Sequence, residues 1–182
     1  FDPTLLSVDD AIAEITRTIA PLAAAEQLPL RTALGRILAS DLHAPANVPN
    51  HTNSAMDGYA LRAADLEQGT PLTVVGTAWA GKPHLGAVAS GECVRIMTGA
   101  VMPEHADTVV MQEQVELLDN QIRVAPGQRT GQHVRHAGED LAAGELALRA
   151  GQRLAPAALG LIASLGIAEV PVFRRPRVAF FS

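Results

Sequence analysis

Three segments of this 182-residue sequence combine residue types that could do chemistry. The first is Asn53-Ser54-Ala55-Met56-Asp57-Gly58-Tyr59-Ala60, in which small residues surround one carboxylate. A carboxylate at the mouth of a strand can act as a base or bind Mg2+. Asp57-Gly58 is also a turn dipeptide, so a turn Asp bonded to its own backbone is the structural alternative. The second segment is Arg95-Ile96-Met97-Thr98-Gly99-Ala100. A strand ending in Thr-Gly can point backbone amides and the Thr98 hydroxyl at an anion. A plain strand end with a glycine turn is the alternative. The third runs from Pro126 to Asp140 and places Arg129, Arg135, three glycines and the pair Glu139-Asp140 in one loop. Its glycines let the backbone approach a ligand closely, and its arginines add positive field for an anionic substrate. A polar connector between two domains is the alternative.

Other chemistries are poorly served. The lone Cys93 excludes an intramolecular disulfide and a Cys-based zinc site. His133 and His136 lie in a glycine-rich loop without supporting ligands, which reads as a solvated loop rather than a metal site. No phosphate loop, dinucleotide fingerprint or nucleophile elbow is present. The net charge is −5, and only 3% of residues are aromatic. Residues 1–120 carry 6 basic against 15 acidic side chains, and residues 121–182 carry 8 against 4, all 8 being arginine. Such a chain lacks the broad basic field and the stacking platforms of a nucleic-acid binder, although a local arginine cluster can hold a small anion. No apolar run reaches the 18 residues of a membrane span, and no signal peptide is visible at Phe1-Asp2-Pro3. A soluble cytoplasmic protein is the expectation.

The elements that must position these segments are partly legible. With 48% apolar residues the chain can bury roughly 70% of its unfolded surface. Ser7 is a good helix N-cap, Asp9 and Asp10 suit the first turn, and Val8, Ile12, Ile15 and Ile19 make one apolar face ended by Pro21. The spacing of Leu30, Ala33, Leu34, Ile37 and Leu38 predicts a second helix to Ala39. Between Ala44 and about Ala137 the composition shifts to Gly, Pro, Thr and Val. Residues 72–75, 93–96, 108–111 and 121–124 read as strands, with a hairpin turn at Asp119-Asn120. A helix returns at Pro156, with Leu159, Ile162 and Leu165 inward and Gly166 just past its end. The sequence leaves a helical segment, builds a β unit and returns, which suggests an inserted domain. Its last residues, Val178-Ala-Phe-Phe-Ser182, read as a strand with nothing after it to cover it, so a fragment is expected.

Five motifs occur in order: Asn53–Ala60, Arg95–Ala100, Ala106-Asp-Thr-Val-Val-Met-Gln-Glu113, Gly138-Glu-Asp140, and Leu165-Gly166 followed by Arg175-Pro-Arg-Val178. Together they resemble the molybdopterin molybdenumtransferase family, to which a domain of gephyrin is related, over about Ser7 to Ser182. Pro49-Asn50-His51-Thr52 departs from the Phe-Asp often found before the first motif.

The resemblance implies an α+β fold in which an elongated helical linker and dimerisation domain, residues 1–43 and 141–176, carries an inserted all-β domain, residues 44–140. Residues 177–182 would then open a missing α/β molybdopterin-binding domain. The implied activity inserts molybdate into adenylylated molybdopterin to give molybdenum cofactor and AMP, with Mg2+ as cofactor. By residue match Asp57, Thr98 and Asp140 take the active-site positions, and Ser54, Gly99, Arg129 and Arg135 are expected to contact substrate. Asp57 and Asp140 would serve as carboxylates or metal ligands and Thr98 as an anion contact, with no residue fixed as a metal ligand. A homodimer is expected, as is inactivity of this chain alone. The alternative is a non-catalytic dimerisation or scaffold module.

Overall fold

The computed structural model of the chain describes residues 6–20, 23–66 and 69–180. In chain order its elements are α1 (Val8–Thr18), β1 (Ala25–Pro29), β2 (Leu42–His43), β3 (Asn53–Ser54), β4 (Gly58–Leu61), α2 (Ala63–Leu66), β5 (Leu72–Ala78), β6 (Glu92–Ile96), β7 (Thr108–Met111), β8 (Val115–Leu118), β9 (Gln121–Val124), β10 (Val134–Arg135), β11 (Leu146–Leu148), α3 (Pro156–Ser164) and β12 (Glu169–Phe173). The described residues form two compact units: one holds the chain up to Leu42 and from Leu146 onward, the other His43–Glu145.

The His43–Glu145 unit is built on a six-stranded sheet ordered β7-β4-β6-β5-β9-β8. All its neighbours are antiparallel except β5 and β6. Successive strand residues face opposite sides of a sheet. Accordingly Ala60, Val94, Ile96 and Val109 join one buried cluster, while Tyr59, Leu61, Cys93, Val110 and Ile122 join another. Burial on both faces explains why β4 lacks an apolar-polar alternation: Gly58, Tyr59, Ala60 and Leu61 are all buried. Gly58 must be glycine, since a Cβ there would lie 2.0 Å from the Val110 carbonyl oxygen. The β8–β9 hairpin turns at Asp119-Asn120 with Asp119 at φ 50°, as its sequence predicts.

In the other unit, the Ser7 hydroxyl caps α1 by accepting from the Asp10 amide at 3.1 Å. No residue of α1 is buried, so Val8, Ile12, Ile15 and Ile19 form an exposed apolar stripe. Pro156 starts α3 and Gly166, at φ 74°, ends it. The amides of Gly166 and Ile167 donate to the carbonyls of Ala163 and Ile162, closing the C-terminus. β1 and β12 pair antiparallel from Ala25↔Phe173 to Pro29↔Glu169. The buried Arg36 donates to Glu26 and to the Phe173 carbonyl, each at 2.6 Å.

The expected α+β fold with an elongated helical domain over 1–43 and 141–176 is corrected here. The chain is mostly sheet, and the two helices of this unit span only 11 and 9 residues. The predicted helix at 30–39 is instead a single 3-10 turn at Leu30–Thr32 followed by irregular chain. Its apolar spacing is helix-like, but Gly35 sits at φ 74° and breaks the run. Leu38 donates to Gln152 and Leu30 to Ala168, so these amides bond to distant segments rather than along a helix. Residues 174–180 form no regular element, with Val178 and Phe180 exposed, and the end of the strand expected at 178–182 lies outside the described residues. Among the described residues no helix is long and apolar enough to cross a membrane.

Candidate functional site

The antiparallel register of β4 on β6 creates the site. Gly58 stands opposite Ile96. The residue entering β4, Asp57, is therefore brought beside the chain leaving β6, at Met97 and Thr98. There Asp57 Oδ1 accepts from the Thr98 amide and from the Thr98 hydroxyl, each at 2.7 Å. Both residues are exposed. Residues 97–100 form a tight turn in which the Ala100 amide donates to the Met97 carbonyl at 2.9 Å and Gly99 takes φ 79°.

A second set of bonds fixes the turn against the first motif. The Gly99 amide donates to the Ser54 carbonyl at 2.8 Å, and the Ser54 amide to the Ala100 carbonyl at 3.0 Å. Ser54 itself is buried. Its hydroxyl donates to the Met56 carbonyl at 2.6 Å and accepts from the Met56 amide. That arrangement bends the chain so that Asp57 faces Thr98. The Gln112 amide donates to the Asp57 carbonyl at 3.2 Å.

The Thr98 amide bond, then the Thr98 hydroxyl bond, hold the Asp57 carboxyl below the ordinary aspartate range, and the positive charge of Arg95 acts in the same sense. A carboxyl held low is a weak base at neutral pH and well suited to face a cation. Oδ2 receives no protein donor among the described residues, which leaves one hard oxygen open.

The third segment docks on the first through β3 and β10, with Ser54↔Val134 and Asn53↔Arg135 in register and the Ala55 amide bonded to the His133 carbonyl. Arg135 donates to Asp140 Oδ1 at 2.5 Å and lies 3.5 Å from Glu139. The hydrogen bond to Asp140, followed by its charge, pushes Arg135 further up. Asp140 makes no hydrogen bond to Asp57 or Thr98 among the described residues. Arg129 is exposed, and its guanidinium has no ion-pair partner among them. The structure thus joins Asp57, Thr98, Gly99 and Ser54 directly, and joins Asp140 to Arg135. A cavity of about 380 Å3 elsewhere in this unit is lined by Asp65, Leu66, Leu72, Val124, Pro126 and Gly127 among others, and by none of these residues.

No three His, Cys, Asp or Glu side chains gather into a metal-holding set among the described residues. The donor chemistry does fit Mg2+ held by a single carboxylate, because this ion keeps several waters and takes further oxygens from substrate phosphates. Asp57 Oδ2 is the fitting donor, with Asp140 as a second exposed carboxylate.

A family model described as MoeA N-terminal region (domain I and II) matches residues 6–166. The chain belongs to this family. It is 42% identical over 179 residues to a molybdopterin molybdenumtransferase of Haemophilus influenzae, covering 98% of this chain and 44% of that protein. It is 40% identical over 185 residues to a protein of the same name from Synechococcus elongatus, covering 98% and 46%. Among solved structures it is similar to a molybdopterin biosynthesis MoeA protein from Pyrococcus horikoshii, with TM-score 0.87, 34% identity, and 93% and 46% of the two chains covered. The chain spans a little under half the length of these relatives.

Sequence reasoning missed Arg95, Tyr59 and Gln112 as parts of the site. Arg95 Nη1 donates to the Tyr59 hydroxyl at 3.1 Å and Nη2 to Gln112 Oε1 at 2.9 Å. All three stand inside the quoted motifs, but only the strand register shows that they meet.

Proposed function

We propose that this chain supplies one wall of the active site of a molybdopterin molybdenumtransferase. The whole protein would insert molybdate into adenylylated molybdopterin and release AMP and molybdenum cofactor. The observation that carries this reading is the exposed Asp57 carboxylate, gripped through one oxygen by Thr98 within the family-matched region.

The geometry supports the following roles. Asp57 presents a charged oxygen to the open side, and Thr98 fixes its direction. Gly99 keeps the turn tight, and Ser54 holds it from behind. Asp140 and Arg135 act as a pair, the arginine orienting the carboxylate, while Arg129 offers an uncommitted cation to an anionic substrate. Mg2+ bound at Asp57 would neutralise the phosphate charge that develops as AMP leaves. We read the whole protein as a cytoplasmic homodimer, and the uncovered stripe of α1 supports the dimer. This chain alone is expected to be inactive, because one wall cannot hold both reactants in attack geometry.

The test is Asp57→Asn in a full-length protein carrying this region, assayed for molybdate insertion. Asparagine keeps an oxygen for Thr98 and loses only the exposed charge, so the melting temperature should fall slightly while turnover falls about 100-fold. Unchanged turnover would return Asp57 to the status of a turn residue.

A further inference from the structure

We propose that Arg95 is a positioning residue for Asp57, bracing from behind the turn that presents its carboxylate. The proposal rests on the reading of Asp57 given above. Arg95 lies in β6, directly opposite Tyr59 of β4. Tyr59 is two residues beyond Asp57. On the far side of β4, Gly58 pairs with Met111, the residue before Gln112. The guanidinium reaches across this arrangement. One nitrogen holds the Tyr59 hydroxyl, another holds Gln112, and the group lies 5.6 Å from the centroid of the Tyr59 ring. Gln112 in turn donates its backbone amide to the Asp57 carbonyl. Arg95 therefore holds Gln112, which bonds the Asp57 carbonyl, and Tyr59, which follows Asp57 in β4.

A purely structural explanation of this arginine is weak. It is half-buried, and no acidic side chain lies within ion-pair distance of it among the described residues. Withdrawing a cation from water without a carboxylate partner is costly, and a neutral donor could bond Tyr59 and Gln112 without that cost. Glu113 lies beyond the Gln112 amide, bonded to its Nε2 at 3.1 Å. Lysine could keep the charge but not the planar fork that reaches two acceptors.

The test uses a full-length protein carrying this region, assayed for molybdate insertion. Arg95→Met should lower kcat about tenfold with little change in KM. Arg95→Lys keeps the charge but not the fork and should recover only part of that loss. Tyr59→Phe keeps the ring and removes one acceptor, and should give a smaller fall in kcat; it serves as the variant if Arg95→Met does not fold. Neither change should have a further effect in an Asp57→Asn background. A folded Arg95→Met or Tyr59→Phe protein with the parent kcat, or with a loss that adds in full to that of Asp57→Asn, would overturn this inference. Full turnover in Asp57→Asn would instead sink the catalytic reading on which it rests.

Discussion

One oxygen of Asp57 takes both hydrogen bonds that Thr98 can give it, the amide and the hydroxyl each at 2.7 Å. The two residues are 41 positions apart, and the contact exists because β4 and β6 run antiparallel with Gly58 opposite Ile96. Thr98→Val keeps the amide bond and removes the hydroxyl, so the Asp57 carboxyl should titrate at higher pH than in the parent chain. Because the folded carboxyl is held low, its contribution to stability is present above the unfolded aspartate value near pH 4 and is lost as pH falls through the folded value. Urea unfolding should therefore separate parent and Thr98→Val at pH 7, and the two should converge near pH 2. A constant difference across that range would assign the threonine's effect to packing instead.

Gly58 should tolerate no side chain. It is buried between β6 and β7, where an added Cβ would stand 2.0 Å from the Val110 carbonyl oxygen and 2.8 Å from its carbon. Those are backbone atoms, so relief requires one strand to leave the ladder. Gly58→Ala should cost about 3 kcal/mol or more, visible as a lower urea midpoint. A loss below about 1 kcal/mol would mean that the β4–β7 contact is far softer than its geometry.

The local signals survived in the fold, and the non-local ones were invisible. Ser7, Pro156 and Gly166 each act on their own turn, so both longer helices are legible near their true ends. The strands at 72–78, 92–96, 108–111 and 121–124 follow from β-branched runs between turn residues. The failure lies at Leu30–Ala39, where apolar residues recur at helical spacing yet the amides of Leu30, Gly35, Leu38 and Ala39 bond to residues more than 100 positions away. β1 is another case, since its partner β12 is contributed by the far end of the chain. The same limit hid Arg95. Its motif was readable, but its grip on Tyr59 and Gln112 depends on three strands lying side by side.

Cys93 should be inert in the folded chain. It is fully buried in β6, opposite Leu61, and burial, with the nearby Glu92 charge, pushes its thiol up to about 12. At pH 8 only about one thiol in ten thousand would be ionised, and access adds a further barrier. Alkylation should be undetectable over hours in buffer and complete within minutes in concentrated urea. Rapid native labelling would show that β6 opens readily, which the six-stranded sheet argues against.

The last prediction concerns α1. Its stripe is unusually open: Val8 is 75% exposed, Ile12 57%, Ile15 58% and Ile19 67%. An isolated helix of this length is marginal in water, so an 11-residue helix with no buried residue needs a surface to lie on. If that surface is a second copy, Ile12→Asp with Ile15→Asp should turn a dimer into a monomer in sedimentation. The helical signal in circular dichroism should fall at the same time. The sheet unit contributes no residue to α1, so the Asp57 titration should be unchanged in this variant. Within a single copy the same substitutions replace exposed side chains and should barely move the unfolding of the remaining residues. A parent chain that sediments as a monomer across micromolar concentrations, with α1 fully helical, would remove the dimer from the proposal.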